Sequence, residues 1–313
     1  MPDGHPLATG LDELAAAEAG AESVLALEAA TGTGPVSPGR RKLGVVFWVC
    51  VGWVVLMVLL AVLASQLHLK SPTFQNYSAV NAGPGVHDLL GTDDLGRDLL
   101  SRIIYGSRVS LVIGFAPIAA GLVIGGSLGL LAGYRGGGVD TAVSAVSYAI
   151  IAYPALLAII VVENFWTPRA LWKLVIMFTV VASPLFFVVV RGTTLSFAHR
   201  EFVVSARAVG ARTHRILLRE LLPNVLPAAV SFALIGVATA VVLEGSLAFL
   251  GLSVQLPTPS LGNIINEGVN QNLLQTNPYI ALWPSLYIFL FLTALNMIAD
   301  RLRAYFDLRE ARL

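Results

Sequence analysis

The sequence predicts an all-α polytopic membrane protein with six transmembrane helices, and three observations carry that reading. Hydrophobic residues make up 56% of the 313-residue chain and charged residues only 12%, where a soluble domain carries roughly a quarter charged. Several uncharged stretches exceed the roughly 20 residues needed to cross a hydrocarbon core. The basic residues also fall unevenly on the segments between those stretches, which orients the chain because basic flanks resist translocation. A soluble globule of this size is excluded, since such a surface could not be solvated.

The spans are expected at 44–67, 110–134, 140–162, 172–190, 225–250 and 279–298. The fourth is the shortest, with 17 uncharged residues between Lys173 and Arg191. With the N-terminus inside, the inner segments carry Arg40, Arg41, Lys42, Arg135, Arg191, Arg200, Arg207, Arg212, Arg215, Arg219, Arg301, Arg303, Arg309 and Arg312. The outer segments carry Lys70, Arg97, Arg102, Arg108, Arg169 and Lys173. The chain thus divides into an acidic, flexible cytoplasmic tail at 1–42, a first span with an external interfacial segment at 43–109, a core membrane domain at 110–300 and a short inner tail at 301–313. Residues 191–224 form a cytoplasmic loop within the core, and both termini lie inside.

Before Arg40 the N-terminal tail has no basic residue and carries Asp3, Asp12, Glu13, Glu18, Glu22 and Glu28, unlike a signal peptide with its basic start. Cys50 is the single cysteine, so no intrachain disulfide can form, and it is read as packing. In the outer segment, Thr92 is expected to cap an amphipathic helix with Asp93 and Asp94 in its first turn. Asp93–Arg97 and Asp98–Arg102 are acid-before-base pairs at four-residue spacing, with Leu95, Leu99 and Ile103 on another face. This reads as a helix lying at the outer interface.

Gly121, Gly125, Gly129 and Gly133 form a smooth stripe on the second span. Lipid gives helices no hydrophobic reason to associate, so small residues that admit close backbone approach hold a bundle together. The same stretch matches GxSxG around Ser127, but neither a preceding strand nor a histidine partner accompanies it, and packing is the reading kept. Pro117, Pro154 and Pro184 interrupt the second, third and fourth spans, each removing a helical hydrogen bond. Glu244 is the one ionisable residue well inside an expected span. A charge there is costly and turns toward a cavity or a partner, which leaves a structural hydrogen-bonding role and a pathway-lining role both open, the first preferred.

Between the fourth and fifth spans lies a basic segment, Glu201 to Pro227, reading EFVVSARAVGARTHRILLRELLPNVLP. A plain connection needs a handful of residues, so its length suits a docking device. Ser205 to Ala208 is small and helix-compatible, Gly210 permits a turn that a Cβ resists, and Ile216 to Leu222 resumes a helix, carrying Arg215 and Arg219, that Pro223 is expected to end. The segment resembles the EAA loop of ABC importer permeases, in which a Gly is followed thirteen positions later by a Pro preceded by Leu. Gly210, Leu222 and Pro223 hold those places. Val204, Ser205 and Ala206 stand where the family pattern has Glu, Ala, Ala, and Glu220 stands at an apolar position.

Three further segments, LGTDDLGRDLLSRIIYGSRVSLVIG (Leu90 to Gly114), GLLAGYRGGGVD (Gly129 to Asp140) and LEGSLAFLGLSVQLPTPSLGNIINEG (Leu243 to Gly268), are similar to the C-type permease subunit of dipeptide and oligopeptide ABC importers. The resemblance runs from about Leu90 to the C-terminus. It implies the type I ABC importer transmembrane fold in a bacterial inner membrane. It also implies a second homologous permease, two ATPase subunits that use ATP and Mg, and an external substrate-binding protein. The residues it points to for ATPase coupling are Val204, Ser205, Ala206, Arg207, Ala208, Gly210, Ala211, Arg215, Leu222 and Pro223.

The residues themselves agree that energy must come from elsewhere. No lysine lies in a GxxxxGK[ST] segment, the five histidines lie outside the expected spans, and there is no HExxH motif or chain of intramembrane acids. No cofactor, metal or nucleic-acid partner is expected for this chain. Within the resemblance, nickel or another small solute is the alternative to peptide. A secondary transporter or channel is the alternative class, but it leaves the long basic loop unexplained.

Overall fold

The computed structural model describes residues 44–165, 170–270 and 273–310; the acidic N-terminal tail lies outside them. Every regular element there is helical: α1 (Gly44–Leu63), α2 (Leu99–Arg135), α3 (Gly137–Ile151), α4 (Ala155–Phe165), α5 (Leu171–Ala198), α6 (Glu201–Ala208), α7 (Thr213–Arg215), α8 (Leu222–Phe249), α9 (Leu261–Asn270), α10 (Leu273–Thr276) and α11 (Tyr279–Glu310). A π-helical turn, Ile216–Leu221, joins α7 to α8. Among the described residues five helical segments are long and apolar enough to cross a membrane, and α3 with α4, bent by 80° at the break between them, passes the same test as a pair and makes a sixth if the two form one span.

Several helices outrun the spans expected for them. α2 begins at Leu99 rather than 110, and α5 continues to Ala198, because the charges that bounded the expected spans are paired within the fold, Arg102 with Asp93 and Glu267 and Arg191 with Asp140. The third span is broken rather than kinked: Pro154 sits between α3 and α4, whereas Pro117 and Pro184 are carried inside intact helices.

α2 packs most extensively on α5, and the glycine stripe lies in that contact. A Cβ at Gly121 would stand 2.9 Å from the Ala182 Cβ, at Gly129 2.7 Å from the Phe187 oxygen, and at Gly133 2.8 Å from the Thr194 Cβ. At Gly125 it would fall on the Ser183 carbonyl oxygen. Four turns of α2 therefore press backbone to backbone on α5. Around this pair, Ile113, Ile118, Phe178, Phe186, Val237 and Phe291 close a core shared by α2, α5, α8 and α11.

Candidate functional site: the loop between α5 and α8 and the outer polar clamps

α6 is a short helix with one anchored and one bare face. Val203 is fully buried, and Phe202, Ala206 and Ala211 pack with Leu130 of α2, Val190 of α5, Ile216 of the π turn and Val225 of α8. Val204, Ser205, Ala208 and Val209 turn outward, with Val209 88% exposed. Arg207 lies over the Tyr134 ring at 5.2 Å. Ala206 thus belongs to the anchored face, and the outward contact surface falls to its neighbours.

Gly210 ends the helix through its left-handed backbone conformation. Its φ is +79°, its N–H donates to the Arg207 oxygen at 3.0 Å, and the Ala211 N–H donates to the Ala206 oxygen at 3.1 Å. Those two bonds make a Schellman stop, with the accompanying apolar contact supplied by Ala206 and Ala211. Arg212, in extended conformation, then opens α7, with the Arg215 N–H donating to its oxygen at 2.9 Å. Arg215 is exposed beside it.

Pro223 does not end the following helix, contrary to the sequence expectation. It occupies the first turn of α8, where its missing N–H has no helical partner to lose. The turn before it widens to π geometry, with Leu222 N–H donating to the Leu217 oxygen, and the Asn224 side chain donates to the Glu220 oxygen at 2.6 Å. From α7 to Phe249 the chain is one continuous helical rod, so any push on α6 meets a stiff connection.

The segment before α2 departs from the expected amphipathic helix. Gly91 (φ +85°) and Gly96 (φ +71°) turn the backbone, and Asp93 Oδ1 accepts from the N–H groups of Leu95 and Arg97, each at 2.9 Å. That local bonding competes with helix formation. The cap is Asp98, accepting from Ser101 N–H at 2.8 Å, and burial pushes its carboxyl above the ordinary aspartate range. Arg102 consequently pairs not with Asp98 but with Asp93 and with Glu267 of α9. Arg97 bonds Asp93 at 2.7 Å and Glu267 at 3.0 Å. Asp93, Asp94 and Glu267 could converge on a cation, but Arg97 and Arg102 already occupy their oxygens, so this is an ion-pair clamp.

A second clamp lies two turns further along α2. Glu244 is wholly enclosed; Ser253 Oγ donates to its Oε1 at 2.7 Å and Ser110 Oγ to its Oε2 at 3.1 Å, and the Ser260 hydroxyl lies nearby. Another Schellman stop, at Gly251 (φ +71°), returns the chain to deliver Ser253, with Leu252 N–H donating to the Leu247 oxygen at 2.8 Å. Gly106 leaves room for the Ser260 backbone, where a Cβ would stand at 3.2 Å. Arg102, Gly106 and Ser110, each one turn apart on α2, therefore hold α9, its N-terminal turn and Glu244 in sequence. In this structure Glu244 lines no open passage. Composition alone could not reveal the clamp, because its partners lie 134 to 170 residues apart; the richness of acids and bases in 88–102 was the available signal.

A helical bundle of membrane-length rods, with a short half-bare helix set between the fourth and fifth long segments, is the architecture of a transport permease. Residues 125–312 match the family described as the binding-protein-dependent transport system inner membrane component. The chain is 34% identical, over 80% of its length and 81% of the relative's, to a dipeptide transport system permease protein of Alkalihalophilus pseudofirmus. It is 35% identical, over 82% of its length and 84% of the relative's, to a glutathione transport system permease protein of Pectobacterium atrosepticum. Among solved structures it is similar to an inward-facing methionine ABC transporter, with a TM-score of 0.55 at 22% identity over 66% of this chain and 97% of the other. The chain belongs to the binding-protein-dependent transport system inner membrane component family.

Proposed function

We propose that this chain is a permease subunit of an ATP-driven importer for dipeptides or short oligopeptides. It forms half of the passage with a second homologous permease, and it receives solute from an external binding protein. Two ATPase subunits bind ATP and Mg; this chain binds no cofactor. The observation that carries the reading is α6: anchored through Val203, Phe202 and Ala206 to three long helices, it presents Val204, Ser205, Ala208 and Val209 bare. A small-residue face on a rigid lever suits a groove in a moving partner, and Arg207, Arg212 and Arg215 ring it with positive charge. The peptide assignment rests on the relatives, whose names specify dipeptide and glutathione. The orientation follows from the basic residues of the loop, which put residues 191–224 and both termini on the cytoplasmic side of a bacterial inner membrane.

The test is a cysteine at Ala208 in a Cys50→Ala chain, coexpressed with its partner ATPase subunits. Crosslinking to an ATPase, sensitive to ATP, is the expected result. Failure of Ala208→Cys to crosslink in a complex that still imports peptide overturns the docking assignment.

A further inference from the structure

The third span is the only one among the described residues that breaks. α3 has 15 residues, a rise of about 22 Å, against a hydrocarbon core of about 30 Å, so its end at Ile151 lies within the membrane. The chain then turns by 80° into α4. Across the turn the Ala152 N–H donates to the Tyr148 oxygen at 3.0 Å and the Tyr153 N–H to the Ile150 oxygen at 3.2 Å, and the next bond is Ala158 N–H to the Pro154 oxygen at 3.0 Å. Pro154 has no N–H, and the first-turn N–H groups of Ala155, Leu156 and Leu157 have no helical acceptor. Ile151, Ala152, Tyr153 and Pro154 are all exposed, Tyr153 by 71%.

Non-helical backbone at membrane depth is tolerated only where protein buries it or water reaches it, because each unmet polar group costs several kcal/mol in lipid. This chain leaves the break uncovered. Beside it runs a groove of about 570 Å3 between α3, α4 and the face of α5 carrying Val180 and Leu185. We infer that the Ile151–Pro154 break lines the water-filled passage through which solute crosses, on the side of the subunit that faces its partner permease. The inference rests on the permease reading above. The chemistry there is a phenol ring, open amide donors and aliphatic walls with no charged side chain. It suits passing contact with the backbone of a short peptide and gives no grip on its charged termini.

Single cysteines replace Ala152 and Tyr153 in a Cys50→Ala chain, within the full permease and ATPase complex reconstituted in vesicles. Val55→Cys on the exposed face of α1 is the lipid-facing control, and His214→Cys is the aqueous control. Ala152→Cys and Tyr153→Cys should react with a membrane-impermeant thiol reagent at rates close to His214→Cys, and those rates should change when an ATP analogue holds the complex. Reaction with a lipid-soluble maleimide alone, as at Val55→Cys, overturns the inference, as does resistance to both reagents. ATP-driven peptide uptake by the Cys50→Ala parent is measured separately, so a failed permease reading is distinguished from a failed passage assignment.

Discussion

Arg102 and Glu267 form a forked ion pair across 165 residues of sequence, Nη1 to Oε2 at 2.5 Å and Nη2 to Oε1 at 3.0 Å. Arg102 is fully buried and shares Asp93 with Arg97. The pairing ties the first turn of α2 to α9 and the 91–98 turn. Removing one partner of such a set leaves an uncompensated buried charge, at a cost of about 3–5 kcal/mol. Arg102→Ala should therefore lower the thermal midpoint of the detergent-purified complex sharply. Arg102→Lys keeps the charge but loses the fork, and its midpoint should fall between those of Arg102→Ala and the parent. Equal midpoints for all three would remove the clamp.

The glycine stripe permits a paired test on adjacent positions. A Cβ at Gly125 falls on the Ser183 oxygen, whereas at Gly126 its nearest neighbours are Leu122 Cδ1 at 3.6 Å and Val190 Cγ2 at 3.8 Å. Gly125→Ala should cost about 1–3 kcal/mol or more through overpacking and reduce the amount of folded subunit. Gly126→Ala should behave like the parent in the same fluorescence-detected size-exclusion assay. If both are tolerated alike, α2 and α5 are not in backbone contact.

Much of the helical framework was legible because the spans are long and uncharged, and Gly210 was legible because its turn needs a positive φ. What escaped was decided by tertiary contact. Asp93 prefers local backbone bonds to a helical first turn, and Arg102 finds Glu267 rather than Asp98, so a pattern of four-residue spacing predicted a helix where a buried turn lies. Pro223 misled similarly: proline stops a helix in its interior but suits a first turn, and only the π turn before it shows which case applies. The inward direction of Ala206 depended on which neighbours α6 meets.

At Gly210 a side chain would meet open space, and only its φ of +79° opposes substitution. The left-handed conformation costs a residue with a Cβ roughly 1–2 kcal/mol, more for a β-branched one. Gly210→Val should leave the subunit inserted and assembled while uncoupling ATP hydrolysis from peptide uptake, because the Schellman stop that sets the angle of α6 is lost. Gly210→Asn, which tolerates this conformation better, should restore part of the uptake. Uptake by Gly210→Val equal to the parent's would show that the angle of α6 is unimportant.

The arrangement of basic residues predicts opposite sides for two exposed positions, His214 in the α6–α8 loop and Thr258 in the turn before α9. In a Cys50→Ala chain, His214→Cys should react with an impermeant thiol reagent only after the cytoplasmic face is opened. Thr258→Cys should react in intact cells after the outer membrane, where present, is permeabilised. Labelling of both from one side would reverse or break the proposed topology.

Glu244 separates a structural from a ligand role by the variant chosen. Its carboxylate collects Ser110 and Ser253, joining α2, α8 and the base of the exposed 255–258 turn. Glu244→Gln keeps the shape, and hydroxyl groups rotate to donate or accept as needed, so uptake and thermal stability should stay near those of the parent. Glu244→Ala leaves the enclosed hydroxyls to repair their own bonding, at about 1–3 kcal/mol, and should expose the 255–258 turn to protease. The passage walls carry few groups able to hold both charged ends of a peptide, and a tight site would need converging acids and bases. The purified permease and ATPase complex should accordingly bind peptide far more weakly than the external binding protein does. Tight peptide binding by the complex alone, abolished by Glu244→Gln with stability unchanged, would make Glu244 a substrate ligand and displace the structural role.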